Sequence, residues 1–362
     1  MRQPAIGSKA IAASFAVSFG LSCSFGHGTP RALVTCADSS QLACTGLYDR
    51  ASAAAEHRIA PAIEAYAPGF RLWSDGLEKL RYVYLPPNAR IDTRDMDDWT
   101  FPVGTRFWKE FRWRGKRIET RYLEKTGPDA WRRTTFAWNA DGADAREVTA
   151  GRTITLDGGH GPYDIPGPED CGRCHGGRRD EVLGFEALAL GVPSATGLNL
   201  PRLAAEGRLT RVPDAGASSV PGTPLDRDAL GWLHMNCGVS CHNTNPAAGA
   251  SFAGLDLKLA TGGATDPRQT AALRTALGRP TTALGYRDPS APKVRISPGH
   301  PQDSAVYVRA AARTPTLSMP PLATHLADRE GLAVLERWIG TLAPAGVATA
   351  PPGGGLARGQ AP

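Results

Sequence analysis

Cysteine, methionine and net charge are all scarce in this 362-residue chain, and each scarcity narrows what it can be. Seven cysteines are too few for a disulfide-stapled scaffold, and the length calls for no such device. A formal charge of +6, with no basic run interleaved with aromatics, leaves no nucleic-acid footprint. No apolar stretch approaches the roughly 20 residues that span a bilayer. Only four methionines are present, so each one away from the start is a rare soft thioether. No internal repeat is found apart from one short motif that recurs.

What is present begins with an export pattern. Arg2 and Lys9 precede the apolar run Ala10 to Leu21, and small residues follow. This predicts a signal peptide over 1–27, cleaved between Ser22 and Gly28. Cys23 is a candidate lipid-anchor cysteine, although Gly20 stands where a leucine-like residue is wanted. Membrane attachment is expected only through such an anchor. Removing Arg2 and Lys9 takes the 41 basic residues to 39 against 35 acidic ones, a nearly balanced mature chain.

With 41 glycines and 30 prolines, long connecting loops are expected. Residues 28–69 read as an N-terminal segment with a helix over Leu47 to Tyr66, rich in Ala, Glu and Arg and ended before Pro68-Gly69. From about residue 70 the period changes to two. Phe107, Phe111 and Trp113 alternate with Trp108, Glu110 and Arg112; Gly115-Lys116 reads as a turn; Ile118, Thr120 and Tyr122 continue the scheme. Residues 70–155 are therefore expected to form an antiparallel, β-sandwich-like module. Residues 156–224 are a loop-rich segment ending in the linker Val212 to Pro224. Residues 225–342 carry expected helices at Asp226–Cys237, Arg268–Leu277, Ser304–Arg313 and Asp328–Leu342. The tail, 343–362, is Ala/Pro/Gly-rich and expected to be disordered.

The chemistry sits in the recurring motif. Cys171-Gly-Arg-Cys174-His175 has the spacing that bonds two thiols to the vinyl groups of one porphyrin and carries the next histidine under its iron. Cys237-Gly-Val-Ser-Cys241-His242 repeats it with one extra residue between the cysteines. Cys36 and Cys44, eight positions apart, are the expected disulfide in an oxidising compartment. Two other readings stay open: a structural zinc site of Cys171, Cys174, Cys237 and Cys241, and a dithiol redox pair. Met319, in Ser-Met-Pro-Pro before the last helix, is the candidate distal ligand of the second haem. Trp338 and Ile339 are expected at the porphyrin edge. For the first haem the candidates are His160, His234 and Met235, or no ligand at all.

The closing stretch, Pro298-Gly299 to Ser304, Arg309, Met319-Pro-Pro and Leu335-Glu-Arg-Trp338-Ile339, resembles the end of many bacterial periplasmic cytochrome c domains. From about residue 68 to 342 the chain is similar to a family of exported di-haem c-type cytochromes. Leu72-Trp-Ser-Asp-Gly76, Phe101-Pro-Val-Gly-Thr105, Lys109-Glu-Phe111, Val182-Leu-Gly-Phe185 and His234-Met-Asn-Cys237 carry that likeness. The longer second motif departs from the commoner pattern. The resemblance implies a periplasmic or outer-surface location and two covalently bound haem c groups. It also implies single-electron transfer between periplasmic donor and acceptor proteins. The fold expected is α+β: the antiparallel β-module, then mainly helical, cytochrome c-like haem domains. The alternative is a peroxidase- or oxidase-like haem enzyme with an open first iron, for which His160 and Glu181 are the candidate acid/base groups. A third reading makes Trp73, Trp99, Trp108, Trp113, Trp131 and Trp138 a binding face of the β-module.

Overall fold

Strand alternation between Arg106 and Trp138 builds the centre of the molecule in the computed structural model. β1 (Glu64–Ala67), β2 (Glu78–Tyr84), β3 (Arg106–Trp113), β4 (Lys116–Gly127), β5 (Ala130–Trp138) and β6 (Ala145–Glu147) form an antiparallel meander. β7 (Arg152–Leu156) and β8 (Gly161–Ile165) form a separate hairpin, and β9 (Thr196–Gly197) pairs with β1 to close a seven-stranded sheet. Arg114 and Gly115, at φ of 48° and 77°, turn β3 into β4, one residue earlier than expected. Two successive left-handed residues match the twist of a tight hairpin, and glycine takes that conformation without a Cβ penalty. The structure describes residues 36, 40–49, 56–214, 216, 218–262, 264–281 and 292–344. The expected signal peptide, Cys23 and nearly all of the expected tail lie outside them.

The sheet is covered on both faces. Trp108, Tyr122, Phe136 and Trp138 pack on Leu42, Leu47 and Ile63, while Val83 and Phe107 pack on Phe185, Leu190 and Leu203. The β7–β8 hairpin lies over Phe111 and Ala137. The architecture thus differs from a sandwich of two comparable sheets, and strands β8 and β9 fall beyond residue 155. The expected helix over Leu47–Tyr66 is not formed by the described residues there. Tyr48 bridges Ile59 and Glu64–Ala67 is a strand; Pro61 removes an amide donor, and burying Leu47 and Ile63 against the sheet outweighs local propensity. Cys36 and Cys44 are disulfide-bonded.

The second half is helical: α1 (Pro168–His175), α2 (Ala187–Gly191), α3 (Leu200–Ala205), α4 (Pro224–Leu233), α5 (Ala271–Ala276), α6 (Ala305–Ala311) and α7 (Arg329–Thr341). Thr223 and Asp226 cap α4 reciprocally, and Asp328 caps α7 through the Gly331 amide. α4 and α7 bury Leu230 and Leu233 against Leu335, Trp338 and Ile339. The chain is therefore α+β. Among the described residues no helix is long and apolar enough to cross a membrane.

Candidate functional site

The first motif lies on α1, which follows β8 directly. Pro168 presets the first turn, and Glu169 and Asp170 place negative charge at the positive end of the helix. Cys171 and Cys174 stand three positions apart on this ordinary α-helix, with His175 at its end. The His175 Nδ1 donates to the Glu181 carbonyl at 2.5 Å, which commits that nitrogen and leaves Nε2 as the lone-pair side of the ring. Burial, then Lys109, holds His175 down to about 4, so the imidazole is neutral, the form that ligates a metal.

The second motif is built differently. α4 runs into a π-helical turn over His234–Gly238, and the Cys237 carbonyl accepts from the Cys241 amide at 3.2 Å and the His242 amide at 2.8 Å. The bond to His242 spans five residues, so the wider turn absorbs the extra residue of the motif. Burial, then Arg309 and Arg295, takes His242 down to about 4, against an opposing contact with the Leu255 backbone.

The two motifs pack side by side. The Ser240 hydroxyl donates to the Cys174 carbonyl at 2.7 Å, and a Cβ at Gly177 would run into the Ser240 carbonyl. Cys174, His175, Cys237, Cys241, His242 and Met319 all line one hollow, and Cys171 stands one turn back on α1. With its mouth included, the hollow holds about 1840 Å³ of empty space. Phe111, Leu183, Met235, Leu255, Leu257 and Val306 give it apolar walls. Paired cysteines, a neutral histidine beside each pair and apolar walls fit a haem at each motif.

The other metal and thiol readings fit less well. Among the described residues no three His, Cys, Asp or Glu side chains converge as a zinc site requires. Burial pushes the thiols of Cys171 and Cys174 up and that of Cys237 up to about 12, the opposite of an activated dithiol.

Several expected participants stand elsewhere. Trp338 and Ile339 are in the α4–α7 core, with the Trp338 indole donating to Asp226 at 2.9 Å, and do not line the hollow. His234 is used on both sides: its Nδ1 accepts the Leu259 amide at 2.9 Å and its Nε2 meets Glu186 at 2.5 Å. His160 donates to the Asp75 carbonyl at 2.7 Å and meets Trp113 edge to face. Of the three candidates for the first distal position, Met235 alone lines the hollow. Glu181 pairs with Arg133 at 2.5 Å, so neither expected acid/base group lines it. Trp99, Trp108 and Trp138 are buried at 1%, 0% and 9% exposure and fill cores instead of forming a binding face.

Sequence reasoning missed the anchor of the Met319 loop. Asp75, 1% exposed, accepts the His325 amide at 3.1 and 2.9 Å and the Leu326 amide at 3.0 Å. Trp73 joins the same loop through the Leu326 carbonyl at 2.8 Å, and its amide donates to Asn236 at 2.7 Å beside the second motif. The segment Leu72-Trp-Ser-Asp-Gly76 thus touches both the loop and the π turn. No protein-family model, curated protein or solved structure matches this chain.

Proposed function

We propose that this protein is an exported di-haem c-type cytochrome that passes single electrons between donor and acceptor proteins outside the cytoplasm. One observation carries the reading: both cysteine-histidine motifs and Met319 open on the same apolar hollow. The Cys36–Cys44 bridge supports an oxidising compartment such as the periplasm.

In this reading Cys171 and Cys174 hold one haem with His175 as its ligand, and Cys237 and Cys241 hold the other with His242 and Met319. Haem c, when bound, supplies a one-electron Fe(III)/Fe(II) couple. The chain's own work is to hold and tune. The Glu181 carbonyl orients the His175 ring; Leu255, Leu257 and Val306 exclude water near the second motif; the thioether of Met319 would favour the reduced state of a haem held at the second motif. The Ser240–Cys174 contact keeps the two attachment sites adjacent.

The test is the visible spectrum of the reduced holoprotein with and without carbon monoxide, beside a haem count per chain. Two c-type haems and no carbon monoxide shift are expected. A shift over about half of the haem would mean one open iron and turn the reading to a haem enzyme. A chain without covalent haem would reject both.

A further inference from the structure

Register across the sheet brings three cations together. Arg81 on β2 is the direct partner of Lys109 on β3, and Lys109 that of Arg121 on β4, so all three side chains stand in one row on one face. Like charges directly opposite one another are unfavourable unless something answers them. On the same face Arg121 has Glu119 at 2.6 Å, Lys125 has Asp180 at 2.5 Å and Arg133 has Glu181 at 2.5 Å, while Lys79 donates to the Leu72 carbonyl. Arg81 is 8% exposed and Lys109 half-buried, and among the described residues neither side chain makes a hydrogen bond or ion pair. A buried cation without a counter-charge is costly, and burial lowers the proton affinity of both.

The row has a direction. Lys109 and Arg121 line the hollow beside Cys174 and His175. At the second motif the arginines are occupied by backbone carbonyls: Arg295 by Gly254 and Thr275, Arg313 by Ala310 and Leu326. Among the described residues, Lys109 is the cation of the hollow with neither an acid nor a carbonyl beside it. We propose that Lys109 and Arg121, with Arg81 behind them as the strand neighbour of Lys109, form a carboxylate-binding site at the His175 end of the hollow. It is filled either by the propionates of the haem held on Cys171 and Cys174 or by a free small carboxylate. The inference rests on the di-haem reading above.

The experiment is a spectroelectrochemical titration of the holoprotein, with acetate as the probe anion. In Lys109→Met and Arg81→Met, one of the two reduction steps moves to lower potential and the other stays, while Lys109→Arg restores the wild-type step. If propionates fill the row, acetate leaves the wild-type titration unchanged. If the row is open, acetate shifts the wild-type step saturably and loses that effect in the variants. Either acetate result, with the variant shift, supports the site and names its occupant. Two haems per chain with neither step moved in either variant would overturn this inference alone. A wild-type chain without haem would overturn the di-haem reading instead. Should one variant fail to fold, the other carries the same measurement.

Discussion

The two motifs share a signature and little else. The first lies on a regular α-helix that follows the β7–β8 hairpin, with its histidine fixed by the Glu181 carbonyl and a cationic row opposite. The second hangs from a π turn at the end of α4, among apolar side chains and arginines already bonded to carbonyls, with Met319 in the same wall. The spacing of cysteines therefore specifies attachment. The surroundings specify electrostatics, and two identical cofactors placed here would sit at different potentials.

Replacing both cysteines of one motif gives the largest effect. Cys171→Ala/Cys174→Ala and Cys237→Ala/Cys241→Ala are each expected to lose one of two covalent haems, read by intact mass and haem staining. Loss of both from either variant would show that the sites are not separable. Met319→Ala is next. It should lower one reduction potential and open about half of the haem to carbon monoxide, whereas an unchanged titration rejects the ligand assignment. Asp180→Asn should then destabilise the first motif's surroundings by about 3–5 kcal/mol in urea titration, because it strands buried Lys125. It also weakens the acceptor for the Phe101 amide. The Met319-linked potential should stay.

Gly177→Ala probes the contact between the motifs. The added Cβ meets the Ser240 carbonyl, so a cost of about 1–3 kcal/mol is expected, with both potentials disturbed. The smallest effect is a pH dependence. Burial and Arg178 hold His234 well below its ordinary value, and its Nδ1 is occupied by the Leu259 amide. The unfolded chain protonates this ring below about pH 6.5 while the folded chain does not. Stability should therefore fall as pH drops from there, by at most about 1.4 kcal/mol per pH unit from this group. His234→Gln should reduce that slope by this group's share in denaturation at pH 5 and 7; an identical slope in the variant would assign it to other groups, His175 and His242 among them.

Much of the helical half was legible because its signals are local. The expected helices Asp226–Cys237 and Asp328–Leu342 begin within two residues of α4 and α7, whose caps are Thr223 and Asp328, and the first runs on into the π turn. The β3–β4 hairpin was legible from alternation for the same reason, and Cys36–Cys44 from counting thiols. What escaped depends on distant partners. Residues 47–66 look helical alone, yet Leu47 and Ile63 are claimed by the sheet. The row Arg81–Lys109–Arg121 exists only once register is known, since a shift of one residue would send Lys109 to the other face. Trp338, on the last helix, was expected at a cofactor edge; the Asp226 bond holds it in the core between α4 and α7.

The Asp75 carboxylate has a consequence in the time order of assembly. Its partners His325 and Leu326 lie 250 and 251 residues further along the chain. Contacts of such separation close late, after the local helices and hairpins they join. The wall that carries Met319 is thus expected to be the last side of the hollow to be made, with Cys174, Cys237 and Cys241 open on the unfinished hollow until it docks. A chain emerging N-terminus first keeps its doorway open until almost all of it has arrived, and then Asp75 shuts it.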